Sequence, residues 1–133
     1  MEDRRGGILL KTSGVTNGNP SETGTSAIIY HGGIKIKEIK NYIEPYITQV
    51  AAEYISLIIG LRIVRNTFRL LSNKILIINI KSHLVVNQIR NIWRIRNKLY
   101  FLHCIVMSQL EGIRYYIEYI SDKKNEEVKI LSD

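Results

Sequence analysis

Residues 48–61, Thr-Gln-Val-Ala-Ala-Glu-Tyr-Ile-Ser-Leu-Ile-Ile-Gly-Leu, set one carboxylate into an otherwise apolar stretch. Ala51, Ile55, Ile58 and Ile63 recur at helical spacing, and Leu57, Ile59 and Leu61 fill the other sides. A segment of this kind is a central helix covered over most of its circumference by the rest of the fold. A Glu near its start is costly if ionised and unpaired. Glu53 must therefore face water, a cation or a hydrogen-bonding partner, and which of these it faces bears directly on function.

Around this helix, β-favouring segments alternate with turn residues. Residues 8–12 are a short apolar run, and residues 13–24 collect Gly, Asn, Pro and Ser into a long turn. A second strand is predicted over 25–31 and a tight connection at His31-Gly32-Gly33. Residues 34–40 alternate apolar with charged, as in a half-exposed third strand. Two successive antiparallel hairpins result.

Pro45 interrupts the chain before the central helix, which is predicted over 48–66. Residues 74–80, Lys-Ile-Leu-Ile-Ile-Asn-Ile, read as a strand buried on both faces and parallel to an earlier one. Ser82 caps a short helix ending at 87 or 90. A basic, aromatic connection follows over 90–98, then a helix over 99–110 and a fifth strand, rich in Tyr and Ile, over 112–121. Residues 122–133 return to helical spacing. The expected fold class is α/β: a five-stranded mixed sheet, three antiparallel strands then two parallel ones, flanked by helices.

A chain of 133 residues with 45% hydrophobic content is expected to form one domain over 1–133, with residues 1–7 flexible. The net charge of +7 favours a polyanionic partner such as RNA or DNA. No apolar run approaches the roughly 18 residues needed to span a bilayer. Cys104 is the only cysteine, which excludes a disulfide framework and a Cys-based zinc site and suits a reducing, intracellular compartment. It is expected to be a small core residue of an apolar helix. His31, His83 and His103 fall on different elements with no spacing that gathers them on one metal.

Four collinear segments resemble the ribonuclease H type 1 family, in the compact form found in archaea, plants and some retroelements. Residues 13–20, Ser-Gly-Val-Thr-Asn-Gly-Asn-Pro, are similar to its opening Asp-Gly-Ala-Ser-x-Gly-Asn-Pro. The central helix resembles Thr-Asn-Asn-x-Ala-Glu-Tyr-x-Ala-Leu-x-x-Gly-Leu. Residues 81–97 resemble Asp-Ser-x-Leu-Val-Val-Asn-Gln and its Trp-Lys-x-Lys-Asn sequel. Residues 117–120 and 125–129 are similar to Ile-Glu-His-Val and Asn-x-x-Ala-Asp.

The resemblance implies the ribonuclease H fold and, for the family, hydrolysis of the RNA strand of an RNA–DNA hybrid by two magnesium ions. Two dications about 4 Å apart are held only where several carboxylates neutralise them. The family's four acidic positions fall on Ser13, Glu53, Lys81 and Lys129, of which only Glu53 is an acid. One lysine beside a dication repels it by roughly 8 kcal/mol at an effective dielectric of 20. The resemblance thus leads to three expectations: magnesium binding is lost, no other cofactor is needed, and the chain is a pseudoenzyme. Lys81 and Lys129 are further expected to pair with Glu53 where the metals would have been.

The expected role is an RNA-binding or architectural component of a ribonucleoprotein assembly, with protein partners and no small-molecule substrate. Alternatives are a protein-binding scaffold and a residual hybrid endonuclease. Trp93 among Arg90, Arg94, Arg96 and Lys98 offers a stacking face amid phosphate-binding charges. Arg62, Arg65 and Arg69 are expected to extend that positive surface. By the resemblance, Asn17, Asn19 and Gln49 would meet a minor groove, with Val50 standing where the family has a second polar residue.

Overall fold

The computed structural model of the chain describes residues 7–16, 23–42, 48–68, 74–95 and 97–120. Five strands form one sheet: β1 (Ile8–Thr16), β2 (Thr23–His31), β3 (Ile34–Tyr42), β4 (Ile75–Ile80) and β5 (Arg114–Tyr119). Their order is β3-β2-β1-β4-β5. β1 and β3 flank β2 antiparallel, while β4 runs parallel to both β1 and β5. Helix α1 (Gln49–Thr67) crosses from β3 to β4, and α2 (His83–Ile89) with α3 (Asn97–Leu110) crosses from β4 to β5. This is the expected mixed sheet flanked by helices. Residues 1–6, most of the start expected to be flexible, and residues 121–133, which include the segment expected to be helical from its spacing, lie outside the described residues.

Register explains the core. Ile29, Leu10, Ile78 and Ile117 stand side by side across β2, β1, β4 and β5, and all four are buried. The same row ends on β3 at Lys37, which is exposed. Leu57, Leu61 and Val64 of α1 and Val106 and Leu110 of α3 close over this face. Between β2 and β3, Gly32 and Gly33 take φ values of 64° and 77°. Two successive positive φ values make the two-residue turn whose twist matches the strands, and glycine adopts them without strain.

Four local expectations change. β1 runs on to Thr16 and β2 begins at Thr23, so Ser13 and Gly14 belong to a strand rather than a turn, held there by pairing with Ser26 and Thr25. β4 alternates half-buried and buried residues instead of being covered equally on both faces. β3 is exposed on both faces from Ile34 to Glu38, because α1 packs on β1 and β2 and stops short of this edge. Its Lys35 and Glu38 form an ion pair, and its lysines suit a sheet edge that must resist pairing with other chains. Cys104 is exposed, since α3 turns His103 and Val106 inward instead.

Candidate nucleic-acid interface

The strand ends and the start of α1 meet in a buried polar corner. Thr48 begins α1 as its N-cap, its hydroxyl accepting from the Ala51 N–H at 3.2 Å. One turn later the helix lies against β1. A Cβ on Gly14 would come within 2.3 Å of the Ala52 carbonyl carbon and oxygen, so only glycine permits this approach. Two side-chain hydrogen bonds lock the contact. The Ser56 hydroxyl donates to the Ser13 carbonyl at 2.7 Å, and the Gln49 amide donates to the Gly14 carbonyl. The same amide donates to Glu53 Oε2 at 3.1 Å.

Glu53 is only 2% exposed. Gln49 is among its hydrogen-bonding partners. Gln49, a minor-groove candidate from sequence, spends amide hydrogens on holding α1 to β1. Thr12 lies level with Ile80 across the parallel pair, so Ser13 and Lys81 follow as the next residues of neighbouring strands. The topology thus gathers Ser13, Glu53 and Lys81 at one end of the sheet. Lys129, Asn17 and Asn19 lie outside the described residues, as does any pairing of Lys129 with Glu53.

The basic connection is built differently. α2 ends in a Schellman motif, in which the Asn91 N–H donates to Gln88 O at 3.1 Å and the Ile92 N–H to Asn87 O at 2.8 Å. Asn91 takes the left-handed φ of 64° that this motif needs and that Asn tolerates better than most residues. The chain is thereby turned outward, leaving Ile92 62% and Trp93 46% exposed, with Arg94 and Lys98 exposed beside them.

A buried relay pins the loop to the core. Tyr54 donates its hydroxyl proton to Gln88 Oε1 at 2.6 Å, and the Gln88 amide donates to the Arg94 carbonyl at 3.1 Å. Burial pushes the Tyr54 phenol up from 10 to about 12. His103, edge-on to Tyr54 with ring centroids 6.4 Å apart, is lowered from its usual value by burial. Sequence reasoning passed over Tyr54, Gln88 and Ser56 as functional supports; a polar atom within each apolar helical run was the signal.

Two arginines are structural in part. Arg90 donates to the Ile117 carbonyl at 2.6 Å, tying α2 to β5. Arg65 donates from Nε and one terminal nitrogen to the carbonyls of Gln109 and Glu111, at 2.8 and 2.9 Å, satisfying the open end of α3. Arg62 is exposed, whereas Arg69 and Arg96 lie outside the described residues.

No family sequence model matches the chain, and no curated protein sequence matches it. Solved structures do. LC11-RNase H1, in complex with an RNA/DNA hybrid, is similar with a TM-score of 0.86 at 23% identity, covering 93% of this chain and 92% of its own. The fold is that of ribonuclease H. RNase H1 from the halophilic archaeon Halobacterium salinarum is similar with a TM-score of 0.84 at 22% identity, over 96% of this chain and 95% of its own. The N-terminal RNase H domain of rv2228c from Mycobacterium tuberculosis gives 0.84 at 22%, over 94% and 95%.

These likenesses correct the expectation of a pseudoenzyme. The ribonuclease H fold found here spans nearly the full length of proteins named as RNase H1. The charge count behind that expectation also drew on Lys129, whose placement the described residues do not include.

The described donor set can be tested against magnesium. Among the described residues, no three of His, Cys, Asp and Glu converge as ligands. At this end of the sheet the carboxylate of Glu53 is engaged by Gln49, and the neighbouring positions supply a hydroxyl and an ammonium. Magnesium is held by carboxylates and water in near-octahedral geometry. These described residues do not fit a two-magnesium centre.

Proposed function

We propose that this chain binds RNA, in an RNA–DNA hybrid or within a ribonucleoprotein assembly, without requiring magnesium for binding. The observation that carries this reading is the end-to-end likeness to LC11-RNase H1, a protein solved in complex with an RNA/DNA hybrid. The exposed Trp93 and Arg94 on a loop tied to the core, Lys98 exposed in the first turn of α3, and the net charge of +7 support it physically. Cations that meet phosphates release counterions, and a ring among them adds stacking.

The test is anisotropy titration of a labelled RNA–DNA hybrid, with and without a chelator, at rising salt. Affinity is expected to fall linearly in log salt and to be insensitive to the chelator. Absence of binding to hybrid and to single-stranded RNA at low salt would overturn the proposal. The RNase H1 likeness favours a second reading, cleavage of the RNA strand. Incubation of the hybrid with Mg²⁺ or Mn²⁺ tests it: cleavage abolished by Glu53→Gln supports it, and an intact RNA strand counts against it.

A further inference from the structure

At the same end of the sheet, two rings outside the candidate residues stand in contact. His83 and Tyr119 stack with centroids 3.5 Å apart and planes 17° from parallel. Each is held from a different element. Tyr119 is the last residue of β5, paired with Ile80, and the following Ile120 N–H donates to the Ile80 carbonyl at 2.8 Å. His83 opens α2 directly after its N-cap Ser82, whose hydroxyl accepts from the Val85 N–H at 3.2 Å. The Asn87 amide donates to the His83 carbonyl at 3.0 Å.

Both rings are exposed, Tyr119 by 39%. A hydrophobic pair built only for packing hides its faces, yet this one sits at the rim. Both rings keep surface open to solvent, so the stack as a whole can receive a visitor, and removing the His83 ring dismantles it. Lys81 lies two residues before His83, just beyond the end of β4. A flat, exposed ring backed by a second ring, with a lysine two residues away in the chain, matches the chemistry of an unpaired nucleobase on a phosphate backbone.

The geometry points to the His83–Tyr119 stack as a platform for one unpaired nucleobase on a strand that leaves the bound duplex. This rests on the nucleic-acid reading above. Stacking on an aromatic side chain is worth about 1–3 kcal/mol per base, or roughly tenfold in affinity at 1.4 kcal/mol.

The experiment compares a blunt RNA–DNA hybrid with one carrying a single-stranded overhang that contains 2-aminopurine, whose fluorescence stacking quenches. The wild type is expected to quench the probe and to bind the overhang hybrid about tenfold tighter than the blunt one. His83→Ala should abolish both effects and leave blunt binding intact, while His83→Phe should retain them. Equal affinity for the two hybrids, or an unchanged overhang preference in His83→Ala, overturns the platform alone. Failure of both hybrids to bind overturns it together with the nucleic-acid reading.

Discussion

The α1–β1 corner and the loop after α2 are both polar, and they are stabilised in opposite ways. In the corner, groups interlock at contact distance: Gly14 against the Ala52 backbone, the Ser56 hydroxyl on the Ser13 carbonyl, the Gln49 amide between Gly14 and Glu53. In the loop the backbone is held, by the Schellman bonds and by Gln88, while Trp93 and Arg94 are exposed, with Lys98 exposed at the start of α3. A buried hydrogen bond loses its value when one atom moves. An exposed charge acts through a field that is screened over about 10 Å and tolerates movement. The corner should therefore be brittle toward folding, and the loop forgiving toward folding but not toward binding.

Gly14→Ala is the hardest blow to the corner, because its Cβ would meet backbone that cannot swing aside. A loss of about 3 kcal/mol, read from the midpoint of urea unfolding, is expected. A loss under about 0.5 kcal/mol would mean that α1 lifts from β1 at little cost.

Tyr54→Phe should cost about 1–3 kcal/mol by leaving Gln88 Oε1 without its donor, and should weaken nucleic-acid binding although no charge changes. That coupled loss is the sharpest check that the loop is held from the core. The same residue fixes a pH signature. The folded phenol titrates near 12 and the unfolded one near 10, so the folded state keeps its proton longer. Its contribution to stability is whole below pH 10 and is lost as pH rises through 12. Tyr54→Phe should flatten this part of the stability profile. His103 works in the other direction: its folded value is depressed, so its contribution is present above its unfolded value near 6.5 and is lost as pH falls through the folded one.

Arg65→Ala removes two bonds to carbonyls at the exposed end of α3 and should cost about 1 kcal/mol. Arg94→Glu with Lys98→Glu should leave stability within about 0.5 kcal/mol of wild type. The pair should nevertheless weaken hybrid binding by at least tenfold and lower the salt slope by about one per lost phosphate contact. An unfolded double variant, or unchanged binding, would erase the contrast between corner and loop.

Much of this was legible beforehand because its cause is local. Thr48 before an apolar helical run, Ser82 before another, and paired glycines between alternating strands each carry their own stereochemistry. The resemblance also set Ser13, Glu53 and Lys81 on three of the family's four acidic positions. Other features had no local signal. Gly14 disfavours a strand by propensity, yet cross-strand pairing and the pressure of α1 extend β1 through it. α3 carries apolar residues on every side, so only packing could choose His103 over Cys104 for the interior. Lys81 and Lys129 suggested an altered reaction, but a count of charges on aligned positions is not a measure of activity.

The sequence by itself determined the order of elements, the caps and turns that bound them, the basic character and the ribonuclease H resemblance, because each rests on neighbours within a few residues. Tertiary structure alone decided that Glu53 is buried at the end of the sheet, that Gln49, Arg65 and Arg90 brace distant elements, and that His83 and Tyr119 stack. Those long-range contacts join residues 27 to 46 positions apart in the chain, where no local preference can reach.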